Sequence, residues 1–290
     1  MLSDADLKES GRFLGRGAFG EVREGTYCGL PVAIKVLHDT RTMDWFRAEL
    51  EVLRTFHHPN LVSMIAFDDR RMVLEKFDSD ASHIRDYKDL ITIARDCMRG
   101  IYYMHMHGDC MRHGDIKPEN ILIKRDYRGE IYQAALGDLG LSRSCSLSGY
   151  TGTPGYMPRI ENEVTRMHDI FALAVSLLNA STTENVHASD MIYRTRADYP
   201  LVGTSMDSVD NTMVFAATLK EEIRHPIGVM LLLVSHPGNS EEDKRKAVTH
   251  ILDIWETLHK KMVDTLKKHM ADGETFMNPL KRTDTMSLST

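Results

Sequence analysis

Between residues 10 and about 76 the apolar positions come in short, β-branched runs separated by glycine: Arg12-Phe13-Leu14, Glu21-Val22-Arg23-Glu24, Val32-Ala33-Ile34-Lys35-Val36 and Met72-Val73-Leu74. Such runs predict a small antiparallel sheet. Within it Phe46, Leu50 and Leu53 recur at helical spacing, so one amphipathic helix is expected over about 42–56, ended by His58-Pro59-Asn60. Beyond residue 77 the period changes. Leu90, Ile93, Ala94, Cys97, Ile101 and Met104 share one helix face, and residues 170–178 are apolar nearly all round, as in a buried helix. Val248, Ile251, Leu252, Trp255, Leu258, Met262 and Leu266 keep helical spacing for about five turns. Asp272-Gly273 is read as the stop of that helix. Residues 181–211, rich in Ser, Thr, Asp and Asn, read as surface loops, and residues 274–290 as a loose tail. The chain therefore divides into a sheet-rich part (1–76), a helical part (77–262) and a helix end with tail (263–290), an α+β organisation.

Composition narrows the classes. With 290 residues, 42% apolar and 27% charged, the chain is long enough for one large domain or two small ones. The formal charge of −6 gives no net attraction to nucleic acid or anionic lipid. The opening Met1-Leu2-Ser3-Asp4 places an acid where a signal peptide carries base, and no apolar run approaches a membrane span, so an intracellular location, cytoplasmic or nuclear, is expected. Cys28, Cys97, Cys110 and Cys145 lie far apart and form no C-x-x-C, which suits a reducing compartment rather than a zinc site or a small secreted framework.

Two features carry chemistry on their residues alone. Gly15, Gly17, Gly20 and Val22 form a G-x-G-x-x-G-x-V run with strand-like sequence on both sides. A dinucleotide-binding turn has a helix after its glycines, so these flanks favour a hairpin flap whose backbone N–H groups approach phosphates; a glycine hairpin with no ligand is the alternative. Lys35 sits inside an apolar strand, where an ammonium needs a partner, and Glu49 lies on the buried stripe of the expected helix. Paired with Glu49, Lys35 can grip phosphates; two solvated charges are the alternative.

The densest run is His113-Gly114-Asp115-Ile116-Lys117-Pro118-Glu119-Asn120, followed by Leu136-Gly137-Asp138-Leu139-Gly140. In order and spacing these motifs resemble the H-R-D-x-K-x-x-N and D-F-G motifs of eukaryotic protein kinases, over roughly residues 10 to 258. The resemblance implies a bilobal fold with a β-rich N-lobe over a helical C-lobe, and ATP and Mg²⁺ as cofactors. It implies that Asp115 accepts the substrate hydroxyl proton, Lys117 neutralises the transferred phosphate, Lys35 and Glu49 pair, and Asn120 and Asp138 hold Mg²⁺. The nucleotide contacts it implies are Gly15, Gly17, Ala18, Phe19, Gly20, Val22, Ala33, Lys35, Glu75, Phe77 and Leu122, with Leu74-Glu75-Lys76-Phe77 as the hinge that meets adenine.

Lys117 and Thr153, the latter in Gly152-Thr153-Pro154-Gly155-Tyr156, resemble Ser/Thr-specific kinases, and Gly25-Thr26-Tyr27-Cys28-Gly29 leading into Val32 resembles the tyrosine-kinase-like group. Protein substrates are implied. Asp169 resembles the residue that anchors the catalytic loop, with a helix N-cap as its alternative. Three departures stand out: Gly114 where most kinases carry Arg, Leu139 for the Phe of D-F-G, and Pro158-Arg159-Ile160 for Ala-Pro-Glu. The last puts in doubt an ion pair in which Arg245 is the basic half and Glu161 a substitute acid. Glycine cannot pair with a phosphate, so activity independent of activation-segment phosphorylation is expected, a substitute pocket built from Arg112 and Arg143 being the alternative. A pseudokinase scaffold and a small-molecule kinase are the competing readings. The helix beyond Trp255 is expected to lay its apolar stripe on the C-lobe or on a partner.

Overall fold

The computed structural model describes residue 2 and residues 5–16, 20–37, 43–107, 110–145, 152–157, 166–181, 221–234 and 240–277. Strands β1 (Leu7–Arg16), β2 (Gly20–Tyr27), β3 (Leu30–Leu37), β4 (Met64–Phe67) and β5 (Arg71–Glu75) form one antiparallel sheet in the order β1-β2-β3-β5-β4. Alternation in β3 buries Val32 and Ile34 on one side, while the lysine at position 35 meets helix α1 (Met43–Thr55). In α1 the buried residues are Phe46, Glu49, Val52 and Leu53, so the expected stripe faces inward and carries its carboxylate with it.

Below the sheet, α2 (Tyr87–Met106) begins at Asp86, whose side chain accepts from the Lys88 amide at 2.8 Å and occupies an otherwise orphaned donor. Every residue of its expected apolar face is buried. Strands β6 (Ser79–Asp80), β8 (Ile121–Arg125) and β9 (Ile131–Leu136) make a small sheet, and the two-residue strands β7 (Met111–Arg112) and β10 (Arg143–Ser144) pair with each other. Asp96 of α2 accepts from the Ala134 amide of β9 at 2.9 Å, which ties helix to sheet across the core. Helix α3 (Met167–Ser181) is buried from Met167 to Leu178, and α4 (Glu221–Val234) contributes Ile223, Ile227 and Met230 to the same core. The loops expected over 181–211 fall, except for Ser181, outside the described residues, as do residues 278–290 of the expected tail.

Helix α5 (Glu241–Met277) starts earlier than expected and runs through Asp272-Gly273 rather than ending there. One glycine costs about 1 kcal/mol relative to alanine, too little to end a helix whose earlier turns are packed. Trp255 is fully buried with its indole N–H on the Met230 sulfur at 3.4 Å, and Leu258 and Met262 pack on the same core, so much of the stripe is covered within the chain. No described helix is long and apolar enough to cross a membrane.

Alongside that seam Arg95 contacts the His259 ring at 2.7 Å and Arg99 Nη2 donates to Glu256 Oε2 at 2.9 Å. Burial and the charges of Arg95 and Arg99, opposed by Glu256, push the His259 pKa from 6.5 down to about 4. The folded state thus holds the neutral ring while the unfolded chain takes up a proton first. The stability this site contributes is present above about pH 6.5 and is lost as pH falls toward 4. The melting temperature should drop across that window, and His259→Gln should flatten the drop; equal slopes for both proteins would remove His259 as the cause.

Candidate active site

The centre of the site is a buried charge cluster. Lys35 Nζ lies 2.6 Å from both Glu49 carboxylate oxygens and 2.7 Å from Asp138 Oδ1, and Lys35 and Glu49 are only 7% and 3% exposed. Burial pulls the Lys35 pKa down, but the two carboxylates outweigh it and keep the ammonium charged. Burial would likewise raise Asp138, yet Lys35 holds it below the usual carboxylate range, whereas for Glu49 burial prevails and its pKa rises. Asp138 adopts a left-handed backbone, φ 56°, at the start of the Leu139–Leu141 turn. A non-glycine residue held there costs of order 1 kcal/mol or more and persists only when its surroundings demand it.

The second cluster gathers on the catalytic loop, the run from His113 to Asn120. Asn120 Nδ2 donates to the Asp115 carbonyl at 2.8 Å and to Asp115 Oδ2 at 3.0 Å, and Lys117 Nζ sits 3.0 Å from the same Oδ2. Thr153 donates to Asp115 Oδ1 through its amide (2.8 Å) and its hydroxyl (2.6 Å), and Lys117 donates to that hydroxyl at 2.8 Å. The sequence singled out Thr153 as an acceptor-class marker; its hold on Asp115 has no local sequence signal.

The loop is fastened from beneath. Asp169 Oδ2 accepts from the His113 amide (2.8 Å) and from His105 Nε2 (2.8 Å), and its Oδ1 accepts from the Gly114 amide (3.0 Å). Burial would raise this carboxyl, but its hydrogen bond to His105, the nearby His105 and His113 rings and the loop amide hold it low. Asp169 is therefore the loop anchor rather than a helix cap. His113 Nε2 donates to the Gly137 carbonyl (3.0 Å) while Nδ1 accepts from the Asp115 amide (3.2 Å), which joins the two clusters. Gly114 has φ +83°, and an added Cβ would lie 2.8 Å from the Leu141 carbonyl oxygen, so a side chain at this position is excluded by backbone shape as well as missing.

The remaining expected contacts fall on the sheet and its lower neighbour. Val22 pairs with Lys35, Gly15 with Val22, and Ala33 with Leu74. A Cβ at Gly20 would strike the Val36 carbonyl, so β2 needs glycine there to lie close to β3. Glu75 ends β5 and pairs with Lys124, whose ammonium also lies 4.9 Å from the Phe77 ring centroid. A Cβ on Gly137 would come within 2.8 Å of Leu122, which brings that residue against the turn carrying Asp138. Gly17, Ala18, Phe19, Pro158, Arg159, Ile160 and Glu161 lie outside the described residues. Arg245 is exposed on α5, and the acid expected to pair with it lies outside the described residues; the buried Arg166 pairs with Glu241 at 2.9 Å, a contact no sequence pattern marks. His105 serves as a buried hydrogen-bond partner of Asp169.

A lysine–glutamate pair beneath a glycine-bearing hairpin, facing an Asp–Lys–Asn loop, defines a protein kinase domain, and the chain belongs to that family, which matches residues 9–252. Among its relatives in Arabidopsis thaliana is a putative leucine-rich repeat receptor-like protein kinase, 29% identical over 220 residues, covering 62% of this chain and 24% of that protein. A probable LRR receptor-like serine/threonine-protein kinase is 31% identical over 219 residues (63% and 25%). The LRR receptor-like serine/threonine-protein kinase IOS1 is 28% identical over 293 aligned positions (90% and 32%). The chain spans about a quarter to a third of the length of these curated relatives.

Proposed function

We propose that this domain transfers the γ-phosphoryl group of ATP to serine and threonine hydroxyls of proteins. The observation that carries the reading is the Thr153 hydroxyl, which donates a hydrogen bond to Asp115 Oδ1 while Lys117 donates to its oxygen. Asp115 and Lys117 are thus spaced to engage an alcohol, one as proton acceptor and the other as a charge near the transferred group. Lys35, held by Glu49, grips phosphate oxygens, and the hinge at Glu75 and Phe77, together with Ala33 and Leu122, takes the adenine. The naming of relatives as serine/threonine-protein kinases supports the acceptor class.

The donor set suits a hard divalent cation. Asp138 offers a carboxylate, and Asn120, whose amide nitrogen is used by Asp115, offers its amide oxygen. Mg²⁺ held by Asn120 and Asp138 would supply charge neutralisation and orientation of the phosphates. The complete set of Lys35, Glu49, Asp115, Asn120 and Asp138 weighs against a scaffold that binds without catalysis.

Incubation with Mg·ATP and a degenerate peptide library, followed by mass spectrometry, should place phosphate on Ser and Thr. Because Gly114 offers no guanidinium, prior phosphatase treatment should leave the rate intact. Phosphate on tyrosine alone, or no transfer to peptide, would overturn the reading.

A further inference from the structure

Cys110 and Cys145, 35 residues apart, are joined by a disulfide with their Cα atoms 5.5 Å apart. The Cys145 amide also donates to the Cys110 carbonyl at 2.8 Å. The next residues inward, Ser144 with Met111 and Arg143 with Arg112, are the β10–β7 pair, so the bond closes the end of a two-residue ladder. One strand of that ladder runs straight into His113 and the catalytic loop; the other leaves the Asp138–Leu141 turn. Arg143 Cζ stands 4.7 Å from the centroid of the Trp45 ring, and Trp45 lies one turn before Glu49 on α1. The ladder therefore holds a guanidinium against the helix that presents Glu49 to Lys35.

A two-residue ladder is weakly held by its own hydrogen bonds, and a cation–π contact at a partly exposed site contributes about 0.5–1 kcal/mol. Covalent closure beside both is what makes the arrangement persistent.

We propose that Cys110 and Cys145 are a reversible thiol–disulfide switch whose oxidised form fastens the activation segment and α1 in the arrangement that supports phosphotransfer. The catalytic part of this inference rests on the kinase reading above. Cys145 is half-exposed and Cys110 is buried, so exchange enters at Cys145. The Cys145 thiolate attacks one sulfur of a low-molecular-weight disulfide and expels one small thiolate. The Cys110 thiolate then attacks the Cys145 sulfur and expels the second. The two cysteines lose two electrons, the small disulfide gains them, and the two thiol protons pass to the released thiolates. Cys97 is buried, with burial pushing its thiol pKa well up, and takes no part.

The test equilibrates the full chain in reduced or oxidised glutathione and reads three quantities. Non-reducing peptide mapping should show the Cys110–Cys145 link in the oxidised sample only. Amide exchange over 143–145 and 43–55 should be slower when the link is present. The peptide kcat should be at least about fivefold higher when oxidised, at the lower end of typical coupling between sites. Cys145→Ser should abolish all three responses, and Trp45→Ala should keep the link but lose the kcat response. No link, or a link with unchanged exchange or unchanged kcat in an active protein, overturns the proposal. If link and exchange respond while neither form phosphorylates peptide, the switch stands and the kinase reading falls.

Discussion

Asp115→Asn should fold normally and lose about a hundred- to ten-thousand-fold in kcat, the usual contribution of a positioned proton acceptor. The substitution preserves shape, and Asp115 supplies polar contacts rather than core volume. Its carboxylate accepts on both oxygens, from Thr153 at Oδ1 and from Asn120 and Lys117 at Oδ2. An asparagine amide must turn its NH₂ toward one of these sets, so one whole set of donors loses its acceptor whichever way the amide lies. The proton of the incoming hydroxyl then has no base, while the adenine contacts proposed at Glu75 and Phe77 are untouched, so the KM for ATP should change little. Initial rates on a peptide, with a melting curve as control, decide the matter. A kcat within tenfold of the parent would place the base elsewhere.

Lys35→Met should act twice. Loss of the ammonium should lower kcat by about a hundred- to a thousandfold, the scale seen when one preorganised donor is removed from charge in a transition state. It also leaves Glu49 and Asp138 without the cation they share, and breaking a buried pair from one side costs about 3–5 kcal/mol. Burial already raises Glu49, and without Lys35 it should rise further. A carboxyl whose folded pKa lies above its unfolded value stabilises the fold only where it is protonated. The variant should therefore lose stability as pH rises from about 4.5, the ordinary value for this group, toward the raised one. Adding Glu49→Leu should restore melting temperature at neutral pH without restoring rate. A double variant no more stable than Lys35→Met would show that the cost does not come from Glu49.

These residues were legible for physical reasons. Lys35 interrupts an apolar strand and Glu49 interrupts an apolar helix stripe, and each anomaly calls for the other. Helices α1 and α2 follow from periodicity because each buries one continuous face, strands β3 and β5 from short β-branched or apolar runs, and α3 from an apolar run buried all round. What stayed hidden depends on contacts that leave no period. The β7–β10 ladder is two residues long, too short for alternation to register, so neither the Cys110–Cys145 bond nor the place of Arg143 on Trp45 could be read from spacing. Thr153 reaches Asp115 across 38 positions, and Arg166 reaches Glu241 across 75; both pairings exist only once the chain has folded back. Asp169 was legible through family resemblance, whereas its partner His105 lay among other histidines and methionines at a helix end.

The position of Asp169 has a consequence for the order in which the protein is made. A ribosome completes Lys35, Glu49, Asp115, Lys117, Asn120 and Asp138, the side chains proposed to act on phosphate, metal or proton, before it adds the carboxylate that grips the His113 and Gly114 amides 56 and 55 residues upstream. Contacts across such separations form late, because the intervening chain must first be closed into a loop. A nascent chain ending short of α3 holds all the chemistry on an unfastened loop. The loop gains the carboxylate that fastens it only when synthesis has passed into the first turn of α3.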